Sequence, residues 1–226
     1  MQITRIRPAG RGGHLRAVTL GDGRRFLVDA ERAIPFALAE GLDIDAALEE
    51  RLATLAEETR AHEAALALLR YRPRSRVELR NRLRRRGCAP AVIETVFADL
   101  VTSGAVDDRR FARFWIESRL GGGRNGPHRL RAELRLKGVD PAIIEETLHA
   151  SLPTEQEAEL AAIAADRYLA RRQALPAEVV LRRLVGLLRR RGFSSSVIAP
   201  ILRESARRMR AQNGDRLGAG EVVDTP

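Results

Sequence analysis

Two kinds of hydrophobic pattern divide the chain near residue 30. Apolar and polar positions alternate in MQITRIR (1–7), LRAVTL (15–20) and RRFLV (24–28), and the Gly-Asp-Gly between the last two is typical of a tight hairpin turn. After residue 29 the apolar positions recur with helical spacing. We therefore predict a small N-terminal β element over residues 1–30, either a β-hairpin or a three-stranded sheet with GRGGH as a flexible connection, followed by helices.

Three glycines, Gly87, Gly138 and Gly192, mark an internal repeat of about fifty residues. Leucine lies eight and four positions before each glycine, and a β-branched pair lies five and six positions after it. Phenylalanine or leucine follows ten positions after it. The aligned sets are Leu79, Leu83, Val92, Ile93 and Phe97; Leu130, Leu134, Ile143, Ile144 and Leu148; and Leu184, Leu188, Val197, Ile198 and Leu202. This agreement predicts three units with the same apolar faces.

Each unit is predicted to contain three helices, with the glycine ending the middle one. The predicted helices are 59–71, a middle helix capped by Ser75 and ended by Gly87, and 90–102; then 108–120, a middle helix from Pro127 to Gly138, and one from Asp140-Pro141; then 154–172, 176–191 and 195–210. Pro200 lies inside the last of these and predicts a late start or a kink.

The resulting fold class is mainly α, with three tandem three-helix repeats in an elongated arrangement and a small N-terminal β-hairpin element. The predicted boundaries are 1–30 for the β element, 31–58 for an acidic helical segment, 59–106, 107–152 and 153–210 for the repeats, and 211–226 for a disordered tail.

The charge of the chain favours polyanions or acidic protein surfaces as partners. The formal net charge is +10, the isoelectric point is about 11.2, and lysine occurs only at Lys137, so nearly all the cations are arginines. The single cysteine, Cys88, excludes an intramolecular disulfide and is expected to be a small buried apolar residue in a reducing compartment. No run of residues is long and apolar enough for a membrane span, so we expect a cytoplasmic protein that has no membrane partner.

Catalytic motifs are missing from the sequence. Lys137 lacks the preceding glycine and the following serine or threonine of a phosphate-binding P-loop, and the four histidines lack metal-ligand spacing. The glycine-rich stretch 121–126 joins two predicted helices instead of following a strand, which favours a linker over a phosphate loop. We therefore expect a protein that is not an enzyme and that uses no cofactor or metal.

The stretch RPRSRVELRNRLRRRGC (72–88) holds eight arginines and one glutamate. A three-helix unit with a short turn resembles a helix-turn-helix, in which the helix after the turn enters the DNA major groove. Here that helix is apolar and acidic, with Glu94 and Asp99 in the first unit and Glu145 and Glu146 in the second, which disfavours base readout.

The arginines before the turns are the candidate contact residues. They could face a nucleic-acid backbone, face an acidic protein groove, or form only a solvated helix face. The candidates are Arg72, Arg74, Arg76, Arg80, Arg82, Arg84, Arg85, Arg86, Arg124, Arg129, Arg131, Arg189, Arg190 and Arg191.

Two segments of the second repeat resemble a known protein family. GAVDDRRFARFWIESRL (104–120) and GPHRLRAELRLKGVDPAIIEETL (126–148) resemble the RecX family of recombinase regulators, with its Asp-x-x-Phe-Ala and Glu-Leu-x-x-Lys-Gly elements. The stretch from 72 to 100 and the N-terminal hairpin are similar to it as well, so the resemblance covers residues 1–208. It is weaker in the third repeat, which lacks the proline at the start of the third helix.

The resemblance implies a non-enzymatic protein that binds the RecA filament on DNA, lies along its groove, and restrains strand exchange and co-protease activity. The expected partners are the RecA filament and single- or double-stranded DNA. We expect the protein to bind them as a monomer. The alternative hypothesis is a general DNA-binding protein with weak sequence preference, of which a transcriptional regulator would be one example.

Overall fold

A computed structural model of the chain describes residues 1–10, 12–121, 123–172 and 175–218, with side chains described as far as residue 211. The chain divides into two compact units, Met1–Asp107 and Asp108–Pro226. The described part is mainly helical, with one small sheet at the N-terminus, which confirms the predicted mainly α class with a small N-terminal β element.

The N-terminal element is a three-stranded antiparallel sheet. Its strands β1 (Ile3–Ala9), β2 (Leu15–Leu20) and β3 (Arg25–Asp29) are hydrogen-bonded in sequence order, so the three-stranded alternative is correct. The alternating pattern places Ile3, Val18, Leu20 and Val28 in a small core on one face.

Helix α1 (Ala46–Tyr71) joins this sheet to the first repeat. Asp45 caps it by accepting a hydrogen bond from the Leu48 amide at 2.7 Å. Its first half packs on the sheet through Leu52 and Leu55, and its second half belongs to the core of the first repeat.

The predicted boundary at residue 59 therefore differs from the structure. The acidic segment and the first helix of repeat 1 are one continuous helix, and within 31–45 the only helical piece is a 3₁₀ turn at Ile34–Phe36. The change in charge near residue 59 coincides with a change in what α1 packs against, and no glycine or proline interrupts the helix there.

Repeat 1 is completed by α2 (Arg76–Arg85) and α3 (Pro90–Thr102), close to the predicted bounds. The Ser75 hydroxyl accepts a hydrogen bond from the Glu78 amide at 3.1 Å, which confirms the serine half of the predicted capping box. Leu79 and Leu83 are fully buried against α3, and Cys88 is buried as expected.

Repeat 2 consists of α4 (Asp108–Leu120), α5 (Pro127–Leu136) and α6 (Pro141–Ser151). The predicted leucine pair of its middle helix is fully buried, together with Phe111, Ile116 and Ile144. The glycine-rich stretch joins α4 to α5, as predicted for a linker.

Repeat 3 consists of α7 (Thr154–Leu169), α8 (Ala177–Arg191) and α9 (Ser195–Gly218). Pro200 lies inside α9, which begins at the predicted residue, so of the two predicted alternatives, a late start or a kink, the late start is wrong. Pro200 is the sixth residue of this helix and has no amide to donate to the Ser196 carbonyl, so the second turn lacks one backbone hydrogen bond. The helix also continues through Gly218, past the predicted start of the tail at 211, and residues 219–226 lie outside the described residues.

The glycine that ends each middle helix has a positive φ, between 73° and 83°, as the repeat predicts. Gly192 has a second role, because a Cβ atom placed there would lie 2.4 Å from the Arg129 backbone nitrogen. Across this contact the Gly126 amide donates to the Arg191 carbonyl at 2.7 Å, and the His128 amide donates to the Gly192 carbonyl at 3.0 Å. Backbone amides at the start of α5 and carbonyls at the end of α8, which lack partners within their own helices, thus bond to each other. These hydrogen bonds connect repeats 2 and 3.

Candidate arginine surfaces

The predicted arginines have different environments, and some of them hold the fold together. Arg72 and Arg74 both donate to the Glu78 carboxylate, with nitrogen–oxygen distances of 2.5 and 2.8 Å. Arg74 is buried, and burial, followed by the charge of Arg72, lowers the pKa of its guanidinium. This pair fixes the turn between α1 and α2 and is directed inward.

Arg80 and Arg131 form equivalent ion pairs in repeats 1 and 2. Arg80 donates to Glu94 at 2.5 Å, and Arg131 donates to Glu145 through two bonds of 2.6 and 2.8 Å. Hydrogen bonds from Arg131 lower the pKa of Glu145. Both pairs connect the middle helix to the third helix, so these carboxylates serve the packing of the repeat.

A further cluster surrounds the only tryptophan, Trp115. Its indole N–H donates to Glu133 at 3.0 Å, and Glu133 also accepts from Arg129 at 3.1 Å. Arg119 and Lys137 lie over the indole ring, 4.3 and 4.9 Å from its centre. Arg129 is therefore also engaged within repeat 2.

The second half of α2 and the residue that follows the helix carry four exposed arginines: Arg82, Arg84, Arg85 and Arg86. We call them the α2 arginine surface. Arg82, Arg85 and Arg86 are spaced at i, i+3 and i+4, so they share one helix face. Within the described part of the chain none of the four has a recorded ion pair, although their position at a helix C-terminus is itself favourable for cations. Arg76, at the start of the same helix, is also exposed.

A second basic surface lies in repeat 3. A groove of about 850 Å³, which we call the α7–α8 groove, opens between the end of α7 and the length of α8. Eight arginines line it, together with Ala164, Tyr168, Gly186 and Leu187: Arg124, Arg167, Arg171, Arg172, Arg182, Arg183, Arg190 and Arg191.

Only three of these eight arginines, Arg124, Arg190 and Arg191, are among the sequence candidates, and Arg189 is exposed outside the groove lining. The prediction followed arginine runs close to the turn glycines, and so it missed the runs at the end of α7 and the start of α8. The adjacent pairs Arg171-Arg172 and Arg182-Arg183, on either side of a short connection, are the signal that could have found them.

The groove is held in place by the contact between α5 and α8. The Gly126 amide anchors the backbone of Arg191, and the Arg191 side chain donates to the Gly123 carbonyl at 3.0 Å. The linker thereby brings Arg124 to the groove. Burial, followed by the charges of Arg124 and Arg167, lowers the pKa of Arg191, as expected where cations are brought together.

The described residues contain neither a metal site nor a membrane-spanning helix. No group of three or more side chains that could hold a metal ion occurs in 1–10, 12–121, 123–172 or 175–218. Within the same stretches, no helix combines the length and the apolar character that a membrane span requires.

Comparison with known proteins identifies the family. Residues 61–100 match the first three-helix domain of RecX, and residues 107–148 match the second. A regulatory protein RecX from Thermobifida fusca (strain YX) is 38% identical over 145 residues, which cover 64% of this chain and 78% of the relative. The chain belongs to the RecX family.

Other relatives match the same part of the chain or a longer part of it. A regulatory protein RecX from Mycobacterium sp. (strain KMS) is 39% identical over 151 residues, covering 64% of this chain and 81% of the relative. A regulatory protein RecX from Geobacillus thermodenitrificans (strain NG80-2) is 31% identical over 182 residues, which cover 80% of this chain and 67% of the relative. A crystal structure of regulatory protein RecX superposes with a TM-score of 0.75 at 25% identity, over 88% of this chain and 98% of that one. The two matched RecX domains coincide with repeats 1 and 2.

Proposed function

We propose that this protein is a non-enzymatic regulator that binds the RecA recombinase filament on DNA and inhibits its recombinase and co-protease activities. Membership of the RecX family, whose matched relatives are named regulatory proteins, supports the regulatory role. The observation that supports contact with the filament is the α2 arginine surface. Its four arginines are exposed and form no ion pair with the described residues.

The chemistry of this surface suits a protein-coated DNA filament. Such a filament presents phosphates and acidic side chains, and a guanidinium forms planar, paired hydrogen bonds with either group. The helix after each turn suits it less, because Glu94 and Glu145 already bind arginines of their own repeats. The basic helix before the turn is therefore the better candidate than the helix that a helix-turn-helix would use.

The test is the variant Arg82→Gln/Arg85→Gln/Arg86→Gln, titrated against RecA–DNA filaments at several salt concentrations. All three side chains are exposed, so the fold should be retained, which circular dichroism checks. We expect weaker filament binding and weaker inhibition of strand exchange. If the arginines contact phosphates, the dependence of log K on log salt should become shallower by roughly one unit per lost contact.

The matched control is Arg5→Gln/Arg7→Gln/Arg25→Gln, which removes the same charge from exposed positions on the sheet of the same unit. It should bind filaments nearly as the parent does. Equal losses for both variants would show that only net charge matters, and unchanged binding of the α2 variant would leave its arginines as a solvated face. Binding to bare DNA with no preference for the filament would favour the general DNA-binding alternative.

A further inference from the structure

The α7–α8 groove concentrates positive charge in a small space. Eight of the twelve residues that line it are arginines, and none of the described lining residues is acidic. Arg171, Arg183 and Arg190 take part in none of the ion pairs recorded among the described residues. Burial, followed by the charges of two neighbouring arginines, lowers the pKa of Arg191, which also lines the groove. A ligand with closely spaced negative charges would offset this repulsion.

One wall of the groove is shaped to hold a guanidinium. Gly186 lies in the middle of α8 and lines the groove, although glycine weakens a helix interior. A Cβ atom at this position would lie 3.1 Å from Nη1 of Arg190, one turn further along the helix. The corresponding positions of the other two repeats, six before the turn glycine, are Asn81 and Ala132. Of the three repeats, the third is therefore the one in which a missing side chain lets an arginine lie close against the middle helix.

The number of arginines exceeds what a chain of widely spaced charges can use. The lining residues of α8 run from Arg182 to Arg191, which corresponds to roughly 14 Å at the helical rise of about 1.5 Å per residue. A nucleic-acid strand, with one phosphate per about 3.4 Å, would bring about four charges along this length to eight arginines. Condensed phosphates share bridging oxygens and have no sugar between them, so their charges lie closer together. Tripolyphosphate alone carries roughly four to five charges at neutral pH, since each terminal phosphate carries nearly two.

The size of the groove also suits a small anion. Its volume of about 850 Å³ falls within the range of about 300–1,000 Å³ that is common for small-molecule sites. The Arg172 guanidinium lies 4.0 Å from the centre of the Tyr168 ring, and both residues line the groove. A planar base attached to the phosphates would have a stacking partner there.

We infer that the α7–α8 groove of repeat 3 binds a chain of condensed phosphates, either an inorganic polyphosphate or the triphosphate of a nucleotide. The two sources share the chemistry that the groove recognises, which is several phosphates joined directly to one another and met by paired hydrogen bonds from guanidinium groups. The inference goes beyond the proposed filament contact, which is assigned to the α2 arginine surface in the other unit. It gives repeat 3 a small-molecule ligand whose concentration would control occupation of the groove.

The experiment titrates the full chain with sodium tripolyphosphate by isothermal titration calorimetry. The buffer contains salt at about 0.15 M, which screens long-range attraction beyond about 8 Å, and no divalent cations that would neutralise the ligand. The comparison ligand is pentathymidylate without a terminal phosphate, which carries a similar charge on four phosphates at the spacing of a strand. We expect tripolyphosphate to bind at least tenfold more tightly than pentathymidylate.

The groove variant is Arg171→Gln/Arg183→Gln/Arg190→Gln, which changes three exposed side chains that line the groove. It should bind tripolyphosphate at least tenfold more weakly than the parent, because it removes three of the eight cations. Circular dichroism checks that the fold is retained. If the triple variant does not fold, Arg183→Gln alone decides the question, with an expected loss of about threefold.

The matched control is Arg110→Gln/Arg113→Gln/Arg135→Gln, which removes the same charge from exposed positions of the same unit outside the groove. Its affinity for tripolyphosphate should stay within about twofold of the parent value. Equal losses for the groove and control variants would overturn the inference, because net charge alone would then explain binding. Binding of tripolyphosphate that is no tighter than that of pentathymidylate would overturn it as well.

The variant Tyr168→Leu distinguishes the two sources of the ligand. It keeps all eight arginines and removes the stacking surface, and it is titrated with both adenosine triphosphate and tripolyphosphate. A loss of affinity for adenosine triphosphate alone assigns the groove to a nucleotide, whereas parental affinity for both ligands assigns it to inorganic polyphosphate. Because these titrations contain no RecA, their failure leaves the proposed filament contact untouched.

Discussion

Leu134 tests the repeat register and the separate core of repeat 2. Its side chain is fully buried among Phe111, Ile116 and Ile144 in the middle of that core. Replacement by alanine removes three carbon atoms, worth roughly 2.4 kcal/mol at about 0.8 kcal/mol each, and leaves a cavity that adds to the loss. We expect Leu134→Ala to lower the free energy of unfolding by about 3 kcal/mol, within the general range of about 2–5 kcal/mol for such changes.

The chain provides both a local reporter and a matched control for this measurement. Trp115 is the only tryptophan and packs against the same core, so its fluorescence follows the unfolding of repeat 2 in urea. With a urea dependence of about 2 kcal/mol per molar, the midpoint should fall by roughly 1.5 M. Leu136 lies two residues further along α5 and is 86% exposed, so Leu136→Ala should change the free energy of unfolding by less than about 0.5 kcal/mol. The reasoning is refuted if Leu134→Ala shifts the midpoint by less than about 0.3 M, or if the two variants shift it equally.

Two further substitutions examine contacts between helices, each followed by circular dichroism during urea unfolding. Gly192→Ala should destabilise the protein by at least about 1 kcal/mol more than Gly87→Ala. Both glycines have a positive φ, but only at Gly192 would a Cβ atom lie against backbone atoms. Equal losses of stability for the two variants would contradict this close contact. Glu157→Ala should cost about 1–2 kcal/mol, because this buried carboxylate accepts the Ser194 amide at 2.6 Å at the start of α9. Glu157→Gln keeps an acceptor oxygen and should cost less, so identical losses for the two Glu157 variants would refute the capping role.

Much of the fold could be predicted because the interactions that specify it are local. The leucine pairs spaced by four lie on one face of a helix whatever surrounds it, and all of them are buried in α2, α5 and α8. A glycine at the end of a helix favours the left-handed conformation that stops it. These two signals recur in each repeat, and they located the middle helix of each one.

Boundaries that depend on packing could not be predicted in the same way. The continuity of α1 past residue 59 depends on a core on either side of that point, and composition alone suggested a break. The extension of α9 to Gly218 likewise has no counterpart in a periodic apolar face.

The candidate site shows the difference most clearly, because all its arginines look alike in the sequence. Arg74, Arg80 and Arg131 turned out to bind carboxylates of their own repeats, while Arg82 and its neighbours on α2 are exposed. The sequence determined that the protein is basic and repetitive, since charge and periodicity are read directly from residue order. Only the tertiary structure decided which arginines meet carboxylates and which line a common groove, because those distances depend on how helices far apart in the sequence pack against each other.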